Sequence, residues 1–302
     1  SVLSEARPLW QTLNNLPMLA ENLSIDAQSL TLMASFDEAI DASEEAAALA
    51  ASIDNVWGQV TARSFVGLAY VARGEIDQAL AVIQNVITDA ERQRHPVRGL
   101  GWFYLGWLYA QLGVESKVTP TAERSLEATT DFPQLRSLGL VLLAWRPQDK
   151  VDAEARQELL SVAGQPGQRK TILLNDMVTD LALCATYLAR RDYDQAGQFL
   201  DGLVRRWRSS GLGYFLPYAL HMKSQALKAM GRAGKARDTL EQALETAVES
   251  ENRILQWQIL AELGEAAAAQ EIVHSIAGNI SDSGLREIFL SYARSLIKTA
   301  GQ

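Results

Sequence analysis

A phosphate-binding loop is the first chemistry to test. Gly164-Gln165-Pro166-Gly167-Gln168-Arg169-Lys170-Thr171 carries its glycines, its lysine and its hydroxyl. In such a loop backbone N–H groups cradle the phosphates while Lys and Thr reach the anion and its metal. The motif requires Gly immediately before Lys, and Arg169 stands there. A helical pattern rather than a strand also precedes it, so the segment reads as a loop rich in turn formers. The histidines are His95, His221 and His274. None is at metal-ligand spacing from another and no HExxH occurs, so each is expected at the surface or in a groove, with no metal. Cys184 is the lone cysteine, which excludes an internal disulfide and a thiolate cluster. Nothing points to a base beside it, so a small buried hydrophobe is the expected role. No GxSxG is present, and Glu44-Glu45 and Asp192/Asp194 read as solvated helix faces or turns rather than a catalytic dyad. No enzyme activity and no cofactor are expected.

Charge narrows the partners. Lys+Arg number 28 against 36 Asp+Glu, a net −8, where a nucleic-acid-binding domain shows a basic footprint. The densest basic runs are Arg190-Arg191 and Arg205-Arg206-Trp207-Arg208. They fit cations offsetting a helix C-terminal dipole better than a grip on an acidic partner. The longest apolar run, Leu140 to Trp145, falls far short of the ~20 residues of a spanning helix. The N-terminus is too polar for a secretory signal, with Glu5, Arg7, Pro8 and Asn14-Asn15. A single cysteine suits a reducing compartment, so the cytoplasm is expected. The chain opens without Met inside a helical pattern, and a fragment of a longer polypeptide is the expectation.

The elements that carry these residues are helices throughout. Ile76, Leu80, Ile83, Val86 and Ile87 lie on one helical face, as do Leu240, Ala243, Leu244, Ala247 and Val248. The helices repeat. A small residue, an aromatic three positions on and a turn glycine recur in Gly67…Tyr70…Gly74 and Gly106…Tyr109…Gly113. The first two recur in Cys184…Tyr187, and the turn glycine again in Gly231. The small residue opening each second helix falls at Ala39, Ala79, Val118, Ala155, Ala196, Ala236 and Ala269, in steps of 40, 39, 37, 41, 40 and 33. Such a period means stacked helical hairpins. The small residue lets the partner helix approach, the aromatic fills the gap beside it, and Gly takes the left-handed turn. One hairpin cannot bury its apolar face alone, so neighbours stack.

On these positions the chain resembles tetratricopeptide repeats over about residues 20 to 280, with a degraded unit around Arg146-Pro147. The period near 40 is longer than the family's usual 34. It is similar to the sensor arrays of MalT-like transcription activators and of AAA/STAND ATPases and cyclases. The tail Ile272-Val273…Ile276-Ala277…Phe289-Leu290 is similar to the ends of those chains. The resemblance implies an all-α, right-handed superhelical solenoid of about seven antiparallel hairpins, forming one domain over 1–302. The hairpins would span 17–53, 54–95, 97–130, 134–164, 170–209, 213–250 and 252–280, after a helix end or cap at 1–16 and before a capping helix at 283–299.

The family's ligand-facing positions map onto Leu100, Phe103 and Trp107, and onto Tyr218, His221, Gln225 and Lys228. They also map onto Thr61, Ser64 and Leu68, and onto Glu251, Ile254 and Gln258. Trp102-Phe103-Tyr104…Trp107…Tyr109 holds more aromatics than one helical face can absorb. Trp102 and Tyr109 fit core positions. Phe103 and Trp107 either anchor a ligand in the groove or pack on a neighbouring hairpin. Gly211–Tyr218 is the second aromatic stretch, a groove candidate or a helix-entry staple. The expected function is a non-catalytic module binding a protein, a peptide or a small-molecule inducer for an attached bacterial signalling or transcription effector. It would touch neither nucleic acid nor membrane. A freestanding scaffold that self-associates into a homo-oligomer is the alternative.

Overall fold

A computed structural model describes residues 2–95, 97–132, 135–144, 153–163 and 173–300. The phosphate-loop look-alike at 164–171 and Arg146-Pro147 lie outside these residues. Among the described residues there is no strand. The chain opens with α1 (Val2–Thr12), then pairs α2 (Leu16–Met33) with α3 (Phe36–Ser52). The second hairpin is α4 (Val56–Arg63) and α5 (Gly67–Arg73) against α6 (Ile76–Arg92). There follow α7 (Arg98–Gln111) with α8 (Glu115–Ala128), α9 (Ser137–Ala144) with α10 (Ala153–Ala163), and α11 (Leu173–Ala189) with α12 (Tyr193–Ser209). The last pairs are α13 (Leu216–Ala229) with α14 (Ala233–Glu249) and α15 (Arg253–Leu263) with α16 (Ala266–Gly278), closed by α17 (Ser283–Ala300). Among the described residues the fold is an all-helical solenoid of stacked antiparallel hairpins.

The repeat residues act as their types dictate. All seven small residues that open a second helix are buried, from Ala39 to Ala269. A Cβ on Gly67 would sit 2.8 Å from Ile83 of the partner helix. One on Gly106 would meet Leu142 and Thr121 at 2.5 and 2.7 Å. Cys184 is fully buried, and burial pushes its thiol well above the usual range, followed by the nearby Asp180. Tyr187 meets Phe199 of α12 edge-on, centroids 6.1 Å apart. Turns inside the hairpins pass through a left-handed residue at Ala34, Gly74, Gly113, Arg191, Gly231 and Gly264. The first helix of the second hairpin breaks between α4 and α5, where the Ser64 hydroxyl donates to the Thr61 carbonyl at 2.7 Å.

His95 staples this region from the following turn. Its Nδ1 accepts the Val97 N–H at 3.1 Å, which leaves Nε2 to donate to Thr61 Oγ1 at 3.2 Å. The Trp57 ring lies 4.3 Å away, centroid to centroid. Burial pushes the imidazole below its ordinary pKa, so His95 is a neutral, buried turn residue rather than a surface one.

The superhelix closes on itself after five hairpins. The Tyr214 N–H, entering hairpin six, donates to Leu32 O at 3.0 Å, and Gly213 packs against Met33 O in the turn of hairpin one. Asn279 at the end of hairpin seven donates from Nδ2 to Gly74 O at 3.2 Å, in the turn of hairpin two. The Asp77 N–H donates back to Asn279 O at 3.1 Å. The Asp77 carboxylate takes the Ser281 N–H at 3.0 Å and its hydroxyl at 2.5 Å. Tyr292 of α17 lies on Gly113, in the turn of hairpin three. Arg73 ties the seam with bonds to Asp37 at 2.7 Å and Glu251 at 2.8 Å.

Candidate functional site

Closure decides what the inward face can bind. Its upper part is filled by the chain. Leu100 is 1% exposed, Phe103 0%, Trp107 1% and Tyr218 3%. The Trp107 ring meets Phe215 and Tyr218 edge-on at 6.0 and 5.6 Å, and Phe103 lies behind it at 6.1 Å. Tyr214 completes this hub, its hydroxyl donating to Leu68 O at 3.1 Å, across 146 residues of sequence. Leu100, Phe103 and Trp107 are therefore corrected from groove anchors to core. The hairpin they pack on is the sixth, brought over the third by the tight superhelix. Trp102, assigned to the core by its spacing, is only half-buried. Its Nε1 donates to Glu91 at 3.1 Å and Arg124 lies over the ring. The Gly211–Tyr218 stretch is the staple that docks hairpin six on hairpins one and two.

Lower down, the inward face stays open as a cavity of about 280 Å³. Its walls come from α7 (Gln111), α9 (Ala144), α10 (Arg156), α11, α13, α15 (Gln258) and α17 (Tyr292). From α13 it receives Tyr218, His221 and Gln225, three residues expected to face a ligand, and Gln258 is a fourth. The structure thus brings Tyr218, His221, Gln225 and Gln258 together. Lys228 lies instead on an adjoining recess of about 170 Å³ with Ala236, Arg237 and Glu262, which shares Gln225 with the cavity. Ile254 is buried and Glu251 is held by Arg73.

The polar groups of the cavity are held in place. His221 Nε2 meets Glu262 Oε1 at 2.7 Å, and the Gln225 amide reaches the same ring nitrogen at 3.3 Å. Burial alone would raise the Glu262 carboxyl. The His221 hydrogen bond and charge, with Lys228 and Gln225, hold it below its usual range instead. Burial pushes the Tyr218 phenol up, so it stays protonated. Its hydroxyl lies near the Asn252 amide without a hydrogen bond of normal geometry. Arg156 was not foreseen as a lining residue, because the fourth repeat is degraded and its register hard to assign. Arg206 of the basic run pairs with the buried carboxylate of Asp180, and Trp207 is core, so the run belongs to the last turn of α12. No helix among the described residues is long and apolar enough to cross a membrane.

No family model matches the chain, and no curated protein does. Among solved structures it is similar to the TPR2AB-domain:pHSP90 complex of yeast Sti1. That likeness is at 15% identity and a TM-score of 0.33, over 95% of this chain and all of that one. A likeness this loose leaves the fold to rest on the hairpins and seams described above.

Proposed function

We propose that the chain is a non-catalytic binding module whose ligand enters the cavity lined by Tyr218, His221, Gln225 and Gln258. One observation carries this reading. The cavity draws its walls from seven helices, α7 to α17, which the superhelical closure brings together. An occupant there contacts hairpins from both sides of the seam, so binding would favour the closed form over any looser one. That is the coupling a regulatory sensor needs. With the resemblance to long-hairpin sensor arrays, it supports a regulatory region of a larger bacterial signalling or transcription-regulating protein in the cytoplasm. A small-molecule inducer fits better than a long peptide, because the hub fills the groove an extended chain would follow.

The test is a thermal-shift survey of metabolites on the native chain and on Ala189→Trp, which places an indole in the cavity wall. Stabilisation of the native chain that Ala189→Trp abolishes supports the reading. Stabilisation unaffected by Ala189→Trp contradicts it. A self-associating scaffold is the second reading. It is favoured by exposed apolar residues at the two ends, Leu9, Leu13 and Ile25 on one side and Ile288 and Leu296 on the other. Light scattering that shows a concentration-independent monomer removes it.

A further inference from the structure

The lining of the 280 Å³ cavity carries a charge anomaly. The whole chain is acidic, at a net −8. Yet among the described residues the lining holds no Asp or Glu, and its one permanently charged group is Arg156. Two carboxylates stand behind lining residues, Glu262 behind His221 and Glu115 beside Tyr292. Among the described residues no carboxylate pairs with Arg156. Its Nε is buried without a hydrogen bond, and its Nη2 reaches only Ala144 O at 3.5 Å. Burial disfavours the guanidinium charge there, and the nearby Arg190 adds repulsion. A cation left in this state on a cavity wall is stabilised by an anion from outside.

The rest of the lining describes the ligand. Ala110, Ala144, Leu188, Met222 and Leu255 give apolar wall. Gln111, Gln225 and Gln258 offer amides that donate and accept, and Tyr292 adds a phenol, while the Tyr218 hydroxyl is buried near Asn252. A guanidinium edge presents two parallel N–H donors, the geometry of one carboxylate. The lining's one cation among the described residues, Arg156, balances one negative charge, and Arg190, which repels it, lies exposed outside the lining. The volume lies at the lower edge of small-molecule sites.

From these features we infer that the cavity binds a small organic monocarboxylate, with Arg156 holding the carboxylate, the Ala/Leu/Met wall holding an apolar body, and the glutamines reading its polar substituents. This rests on the cavity being the ligand site.

The experiment uses the full chain with paired probes of equal shape, benzoate against benzamide and hexanoate against hexanamide, with inorganic phosphate as a third anion. Affinity is read by thermal shift and calorimetry at constant ionic strength, on the native chain, Arg156→Gln and Ala189→Trp. The carboxylates stabilise the native chain and the amides do not. Arg156→Gln weakens carboxylate binding by about tenfold or more, the loss of a charge-assisted pair. Ala189→Trp abolishes it. Without ligand, Arg156→Gln melts no lower than the native chain, because the charge it removes has no partner. Amides binding as well as carboxylates, in a manner Ala189→Trp blocks, would overturn the inference and leave the cavity as a ligand site. Carboxylate binding that survives Arg156→Gln overturns the assignment to Arg156. Tighter binding of phosphate than of benzoate overturns the carboxylate class. If no probe shifts the native chain, both readings fall. The native-chain comparison of acid with amide stands even if a variant folds poorly.

Discussion

Two stretches of helix α7 meet different surroundings. At Phe103 and Trp107 it runs into Phe215 and Tyr218 of α13, and the space between is filled by rings. One turn further, at Gln111, the facing residues are His221, Gln225 and Arg156, and about 280 Å³ stays open. Helix α13 mirrors this, with Tyr218 in the hub and Gln225 at the cavity. The same repeat positions therefore serve as core where aromatics face aromatics, and as a lining where polar chains face each other. In a tightly wound solenoid an inward-facing position is not by itself a binding position.

The hub should be the most sensitive place to cut. Trp107→Ala removes a fully buried indole and is expected to lower stability by about 3–5 kcal/mol. Gln225→Ala, at the exposed edge of the cavity, should change it by about 0.5 kcal/mol or less. Equal effects in urea denaturation would erase the distinction between the two regions. A smaller loss is expected at the seam. Gly74 has φ +72°, and a Cβ there would sit 2.6 Å from Ile276 of α16. Gly74→Ala should cost about 1–3 kcal/mol from left-handed strain and overpacking. The same change at Gly231, also left-handed but with nothing within 4 Å, should cost only the strain term of about 1–2 kcal/mol.

The smallest effect is a pH dependence in the broken hairpin. The His95 pKa is lowered in the folded state, so the unfolded chain takes up a proton first as pH falls. The stabilisation by neutral His95 is complete above the ~6.5 of a free imidazole and shrinks as pH falls below it. His95→Gln should flatten the melting temperature between about pH 7 and 5. A slope unchanged by that substitution would show that folding leaves the His95 pKa where it is in the unfolded chain.

Much of the fold is legible in the sequence because hairpin contacts are local. Ala79, Ala196 and Ala269 are small because a partner helix within the same repeat presses on them, and a period of about 40 exposes that. Gly74 and Gly113 are glycines for a turn their neighbours announce. The closure leaves no such local trace. Tyr214 meets Leu68 across 146 residues, and Asp77 meets Ser281 across 204. No spacing rule reports how many hairpins complete a turn. The aromatic excess in α7 was visible, but whether it faces ligand or chain depends on that winding. Tyr218, His221 and Gln225 converge because they lie three and four residues apart on one face of α13, and Gln258 holds the place of Gln225 in the next hairpin. Arg156 escaped because its repeat is degraded.

The closed winding is the claim on which the rest depends, and one crosslink tests it. Asp77 and Ser281 touch across the seam, and the one native cysteine, Cys184, is buried. Asp77→Cys/Ser281→Cys, oxidised mildly and read by mass spectrometry of digested monomer, should yield the intramolecular 77–281 disulfide in high yield. Free thiols throughout, or disulfides only between molecules, would mean that the solenoid is open and that hub and cavity are not formed as described.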